Sequence, residues 1–384
     1  MKQNLTARYA GLMALYWAAF CAVMSFFTTL LLWLGFSNTA AGAVVALGNL
    51  GGVALQPFAA AWAAKRAHGV HRMAQAMTAA LFAGSVLLLA AYRVPLAAAA
   101  LMIALCAVLY SLQGILNALG MESANAGARL DFGLARGFGS AGYAAASFAL
   151  GQWTAKAGPA VLPWAYAALF LTSGLLLAAF PRLAAAERAP ASPRQAGAFL
   201  RRYPRYTVVL AACVLLFLCY NLIMTYLIQI VRSLGGDTDA MGVVMGLGAL
   251  VELPAMALVQ RLLKRFSAGG LMCFAGVFLT VKALLIALAP SVAFLYLAQA
   301  VQPLSYAIII PASVYYTNDV LAPEDRVLGQ TLMVMASALS SVFAGLLGGP
   351  LLDAFGVRTT ALAAVGISAA GAALLLASAR RKAA

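Results

Sequence analysis

Met241 to Arg265 reads MGVVMGLGALVELPAMALVQRLLKR. The stretch is apolar and long enough to cross a bilayer as a helix. It carries one carboxylate, Glu252, near its middle, and it closes on Arg261, Lys264 and Arg265. A charge at membrane depth costs about 2.5–3.5 kcal/mol on insertion scales, so an acid kept there marks a functional position. The stretch has a twin 200 positions earlier, where Ala41 to Lys65 reads AGAVVALGNLGGVALQPFAAAWAAK. Gly42, Val44, Leu47, Gly48 and Leu50 reappear as Gly242, Val244, Leu247, Gly248 and Leu250, and Lys65 stands opposite Arg265. A parallel repeat of half a chain is a mark of membrane proteins built from two helical bundles. Gly52 stands opposite Glu252, so the two halves share a scaffold and not a chemistry.

The rest of the composition agrees with lipid as the solvent. The chain has 384 residues, of which 64% are hydrophobic and 9% charged, and its mean hydropathy is +0.94. A soluble domain is about 45–50% apolar and about 25% charged. The net charge of +15 does not indicate nucleic acid, because the basic residues fall in short loops between apolar runs, the positive-inside pattern. The five cysteines lie in apolar runs with neither metal-site nor disulfide spacing. His68 and His71 fall in a loop, and Walker A, H-E-x-x-H and G-x-S-x-G motifs are missing. We therefore expect no enzyme, no cofactor, no metal site and no self-contained ATP-driven pump. Lys2 and Arg8 precede an apolar run to Trp33 that is too long for a signal-peptide core, so it is expected to be a retained first helix.

Apolar runs of about 20 residues recur along the chain, each the length of a membrane-spanning helix. They predict an all-α integral membrane protein of about twelve transmembrane helices in two six-helix bundles. The runs lie near 7–33, 38–62, 72–92, 95–119, 134–153 and 158–180, then near 205–232, 239–262, 268–288, 292–318, 327–350 and 356–379. Residues 1–180 form the first bundle and 205–384 the second, the latter ending in a short tail. Residues 181–204, with Pro181, Pro190, Pro193 and Pro204 among arginines, read as a cytoplasmic linker. With the N-terminus inside, twenty of the 25 Lys and Arg fall on the inner side. Only Arg93, Lys156, Arg232 and Arg358 fall outside, and Lys282 lies within a helix. This bias predicts a multi-pass protein of a cell (inner) membrane with both termini cytoplasmic.

Polar residues inside such helices are the candidates for function. Glu252 is either a structural ion-pair member or a group that binds substrate or takes up a proton. Lys282, in VFLTVKALLIAL, needs a buried partner, and Glu252 one helix earlier supplies it; the pair either locks the bundle or switches charge. Arg136, in RLDFGLARGFGSAGY, has the planar fork that grips vicinal hydroxyls or a carboxylate. Glu122 and Asp131 belong to the same cytoplasmic loop and balance charge. Gln113 and Asn117 are four apart and share a helix face. Tyr220 and Asn221 lie on the seventh helix. Gln299, Gln302 and Tyr306, at i, i+3 and i+7, form one stripe on the tenth and line a cavity.

These stretches resemble the major facilitator superfamily over essentially the whole chain, nearest its lactose-permease-like branch with the phenylpropionate permeases and, further off, nucleoside–proton symporters. The resemblance rests on DFGLARGFGSAGY (131–143), VELPAMALVQRLLKRFSA (251–268), TVKALL (280–285) and LAQAVQPLSY (297–306). The superfamily's loop signature survives in AAAWAAKRAHGVHR only as basic residues, without its acid. The resemblance implies two bundles around a central site and alternating access, with the residues matching Arg136 and Glu252 contacting substrate in sugar-binding members. This chain departs where the branch has histidine, lysine and proton-carrying acid on the tenth helix, placing Gln302, Gln299 and Ser305 there. The sugar-binding acid of the fourth helix falls near Ala118. Glu252 is left as the proton carrier, with Lys282 its partner.

The expected function is secondary transport of a small organic solute by proton symport, sugar or glycoside first. Nucleoside or aromatic-acid uptake, drug or metabolite export, a sensor and a channel are the alternatives. The expected partners are a small-molecule substrate, the proton and the bilayer, with no nucleic acid, and the protein is expected to act as a monomer.

Overall fold

The computed structural model describes residues 4–66, 68–182, 196–322 and 325–380. Among them all repetitive structure is helical, and strand-like pairing is limited to an isolated bridge between Asn4 and Arg129. Hydrocarbon offers a backbone no hydrogen-bonding partner, so helices that satisfy their own N–H and C=O groups follow from this composition.

The chain begins with α1 (Thr6–Phe20), which passes through a π turn at Cys21–Ser25 into α2 (Phe27–Trp33). Next come α3 (Asn38–Ala64), α4 (Gly69–Ala91), α5 (Pro95–Asn125), α6 (Phe132–Ala157) and α7 (Leu162–Ala178). The short α8 (Ala196–Arg202) leads into α9 (Pro204–Thr225), which breaks at Tyr226 and resumes as α10 (Leu227–Ser233). Then follow α11 (Thr238–Leu262), α12 (Ala268–Ala287), α13 (Val292–Ala298) and α14 (Tyr306–Val320). A last helical run, α15 (Arg326–Arg380), is interrupted at Gly356, whose φ of 76° is open to glycine and strained for other residues. Ten spans are long and apolar enough to cross a membrane, the last being the 51 residues Leu328–Ser378. Its break at Gly356 makes two helices of it. The 26-residue α6 is as long as the others but carries Arg136, Gln152 and Lys156. Counting it, the described residues hold about twelve spans.

The repeat is sharper in the backbone than in the sequence. Helices break at Phe26 (φ −92°, ψ 8°) and at Tyr226 (φ −110°, ψ 23°), 200 residues apart. Gly35 (φ 89°) and Gly235 (φ 79°) end the short helices that follow, each taking the left-handed turn that glycine allows without a Cβ clash. The next helix is then capped in the same way twice. The Ser37 hydroxyl accepts from the Ala40 N–H at 3.1 Å, and the Asp237 carboxylate accepts from the Ala240 N–H at 3.1 Å. Capping of this kind satisfies a backbone donor that the first helical turn leaves open.

The described chain groups into two compact units. The first comprises Met1–Pro190 together with Asp237–Leu250. In it α1 packs on α6, α3 on α5, and α4 on α5 and α7. Tyr9 and Tyr16, two turns apart on α1, donate to the carbonyls of Leu116 and Leu109 on α5 at 3.1 and 3.2 Å. The first part of α11 joins this unit through small residues. A Cβ on Gly151 would lie 2.9 Å from the Gly242 Cα, and one on Gly246 would lie 2.5 Å from the Phe148 ring. The second unit comprises Ala191–Gly236 and Val251–Ala384. Its core centres on Tyr206, Leu216, Phe217, Met272, Leu279 and Ile309. There the Tyr206 hydroxyl donates to the Gly329 carbonyl at 2.9 Å, and Tyr226 donates to Gly345 at 3.0 Å.

Most of the proposed linker, 183–195, lies outside the described residues; of the remainder, 196–202 is helical. Two expectations change. His71 is not in a loop: it is the third residue of α4, buried, with its ring stacked on Phe180 at 6.5 Å. The tenth span is not one regular helix, because Gln299–Leu304 winds as a tighter 3-10 turn containing Pro303. Proline lacks an N–H and crowds the carbonyl four residues back, which breaks the α-helical ladder there.

Candidate functional site

The strongest polar cluster lies in the second unit, where α11, α12 and the 3-10 turn Gln299–Leu304 converge. Glu252 sits half-buried in α11, two residues before Pro254. Lys282 sits in the second half of α12 and is 3% exposed, and Gln302 in the 3-10 turn is also 3% exposed. The Lys282 ammonium donates to the Gln302 carboxamide oxygen. The Gln302 carboxamide nitrogen in turn donates to the Glu252 carboxylate. Glu252 and Lys282, expected to be partners, are thus linked through the Gln302 amide. The reason is local. The 3-10 turn carries the Gln302 side chain into the space between the two helices, and an ordinary α-helix would have spread Gln299, Gln302 and Tyr306 along a common face.

The remaining members of that stripe separate accordingly. Gln299 is buried, and its amide nitrogen donates to the Leu295 carbonyl on its own segment at 3.3 Å. Tyr306 begins α14, and its ring stacks on Tyr220 of α9 at 3.9 Å with the planes 10° apart; Phe217 meets Tyr306 edge-on at 6.2 Å. Tyr220 also borders a hollow of about 10 Å³, room for about one water, lined by Met224, Leu279, Lys282 and Ile286. Charge relay and aromatic stack are thus neighbours. Asn221 is half-buried beside Tyr220.

The first unit holds the other candidates. Arg136 lies near the start of α6, and its side chain falls outside the described residues. Gln113 and Asn117 are both half-buried on α5, one turn apart. Glu122 is buried near the end of α5. Asp131 has a structural job: its carboxylate accepts from the Leu134 N–H at 2.9 Å and caps α6. Reading the sequence missed a hydroxyl pair, Ser25 at the π turn and Tyr143 on α6, 2.8 Å apart. Tyr143 stood inside a quoted motif, but nothing in the sequence announces a π turn that brings Ser25 to it. It also missed Asn49 on α3, buried with its side-chain oxygen 3.4 Å from the Cys106 sulfur. Among the described residues no group of three metal-ligating side chains occurs.

The chain belongs to the MFS_1-like family, whose profile matches residues 6–363, and it is a multi-pass membrane protein of the major facilitator type. A maltose permease of Geobacillus stearothermophilus is 28% identical over 226 residues, 58% of this chain and 57% of the permease, so the match spans little more than half of that relative. The fold is shared with solved transporters. A single-site variant of the nucleoside transporter NupG superposes with a TM-score of 0.80 at 17% identity, covering 97% of this chain and 99% of that one. An auto-inhibited peptide transporter of the POT family superposes at 0.75 with 12% identity, covering 98% and 96%.

Proposed function

We propose that this protein is a secondary transporter that moves a small polar organic solute, a sugar or glycoside first, by proton symport with alternating access. The observation that carries the reading is the Lys282–Gln302–Glu252 cluster, whose Lys282 borders the same small hollow as Tyr220 of the Tyr220–Tyr306 stack. A membrane-embedded acid and base mark ion pathways. Aromatic faces beside polar groups suit the C–H face of a sugar ring. Glu252 takes up and releases the coupled proton, and Lys282 balances its charge. Arg136, with Gln113 and Asn117, binds substrate hydroxyls from the first half of the chain, and Tyr220, Asn221 and Tyr306 contribute from the second. Residues 1–180 and 205–384 act as the two bundles that rock about this site, both termini lie in the cytoplasm, and the transporter works as a monomer in a cell inner membrane.

The maltose permease relative supports a sugar. A nucleoside is the second reading, supported by the flat stack of Tyr220 on Tyr306, which offers a base a ring face, and by the NupG fold likeness. The deciding experiment uses liposomes with an internal pH dye, to which sugars, nucleosides and aromatic acids are added one at a time. A solute that moves protons with the parent protein and not with Glu252→Gln supports the reading. Equal proton movement in both removes Glu252 from the role. Solute flux without protons makes the protein a uniporter or exchanger.

A further inference from the structure

Gln302 came out of the sequence as one of three cavity-lining polar residues, yet both ends of its carboxamide are committed. Its oxygen accepts from Lys282 and its nitrogen donates to Glu252. Gln302 and Lys282 are almost wholly buried. An ammonium can only donate and a carboxylate can only accept, so the residue between them must accept on one side and donate on the other. A carboxamide does this without a charge of its own. The arrangement therefore carries a direction, with the amide oxygen toward Lys282 and the amide nitrogen toward Glu252. That direction is strongly favoured only while both neighbours are charged, because hydrogen bonds to ionised groups are about twice as strong as neutral ones.

We propose that Gln302 is a positioning residue, not a substrate ligand, and that its amide couples the charge on Glu252 to the hold on Lys282. The inference rests on the proton-symport reading above. When Glu252 takes a proton from water, its carboxylate becomes a neutral acid and Lys282 keeps its own proton. The cluster gains one positive charge. The Gln302 nitrogen loses its charged acceptor, the bond weakens, and the 3-10 turn Gln299–Leu304 loses a tie to α11. Its ends at Ala298 and Ser305 already mark where α13 and α14 stop and start, so the turn can shift without unwinding a continuous helix. The charged and titratable groups facing Lys282 are Glu252 from α11 and Cys219 from α9. Gln302 cannot itself carry the proton, so the coupling runs through hydrogen-bond polarity and not through proton hopping along the amide.

The test measures protons moved per solute transported in proteoliposomes, for the parent, Gln302→Met and Gln302→His. Methionine fills the volume and can neither accept nor donate in this way, and the proton-to-solute ratio is expected to fall about tenfold, the scale set by losing hydrogen bonds to charged groups. A neutral imidazole accepts at one ring nitrogen and donates at the other, so histidine is expected to restore most of the ratio. An unchanged ratio in Gln302→Met overturns the proposal. Loss of solute binding in Gln302→Met, with the ratio kept on what flux remains, makes Gln302 a ligand and overturns it too. A parent that moves solute without protons removes the symport reading itself, a failure seen before any variant is compared. Infrared difference spectra of the parent, with glutamine side chains isotope-labelled, guard against a misfolded variant. Protonation of a buried carboxyl should coincide with a shift of a glutamine amide band, and a carboxyl signal without that shift overturns the proposal.

Discussion

Gly52 lies under the ring of Tyr110: a Cβ on Gly52 would stand 2.7 Å from the Tyr110 Cβ. Gly52 is the repeat partner of Glu252, so the half of the chain that lacks the acid also lacks the room for one. The asymmetry of the two halves is enforced by packing on α5. Gly52→Ala is expected to destabilise the protein by about 1–3 kcal/mol, the cost of overpacking a filled contact. Adding Tyr110→Gly removes the Cβ that stands in the way, so the double variant should lose less than the sum of the two single losses. Thermal unfolding in detergent for the two single variants and the double one checks this, and purely additive losses would count against it.

The charged relay should behave as one unit in stability as well as in transport. Lys282→Met removes the cation that the Gln302 amide ties to Glu252, and removing one member of a buried charge network is destabilising. Glu252→Gln in the same background removes the charge that Lys282 faced. The double variant is expected to melt above Lys282→Met alone. Equal melting temperatures would mean that the two charges do not sense each other through Gln302.

The aromatic stack gives a prediction about binding. Tyr306→Ala removes the face on which Tyr220 rests at 3.9 Å. The stack holds the Tyr220 ring in place, so under the proposed role of the two rings in solute binding the affinity should fall when Tyr306 is removed. Tyr306→Phe keeps the ring and should stay close to the parent. Competition binding with the solute found in the transport screen separates ring from hydroxyl: a large loss in the phenylalanine variant would assign the binding to the hydroxyl group.

These sites differ in how far the sequence revealed them, and the differences have physical causes. The membrane class, the helix count and the repeat follow from runs of apolar residues, which need only chain-local information. Glu252 and Lys282 were visible because a charge in an apolar run has no local reason to be there. Their meeting through Gln302 was not visible, since it depends on three segments converging and on Pro303 tightening one of them. The breaks at Phe26 and Tyr226 carry no proline or glycine at the break itself, so no residue type announced them. His71 looked like loop because basic residues and Gly69 surround it, whereas packing on Phe180 draws it into α4.

A node at one end of the second unit predicts a pH effect. The Tyr203 hydroxyl donates to the Asp325 carboxylate at 2.7 Å, and Arg202 pairs with the same oxygen at 3.1 Å. The bond to Asp325 holds the Tyr203 hydroxyl above the usual tyrosine pKa. A folded-state pKa above the unfolded value stabilises the fold below the unfolded pKa, and that stability is lost as pH rises through the folded one. The melting temperature of the parent should therefore fall between about pH 10, the ordinary tyrosine value, and higher pH by more than that of Tyr203→Phe. Parallel falls would show that the hydroxyl bond adds no stability. Asp325→Asn should cost little through Arg202, since an exposed ion pair contributes about 0–1 kcal/mol.

The seam between α6 and α11 is built from residues that leave no room for growth. A Cβ on Gly242 would run into the Ser147 carbonyl and would stand 2.9 Å from the Gly151 Cα. A Cβ on Gly151 would stand 2.8 Å from the Thr238 carbonyl oxygen. Small residues let two backbones approach in lipid, where packing replaces the hydrophobic effect as the force between helices. Gly242→Ala and Gly151→Ala each push the same two backbones apart, so the second substitution meets a gap that the first has already opened. Each is expected to lower the melting temperature, and the double variant should lose clearly less than the sum of the two. Coupling between residues that share a contact is about 0.5–3 kcal/mol. Strict additivity would mean that the two glycines yield independently and that the close approach of α6 and α11 is not what they are there to permit.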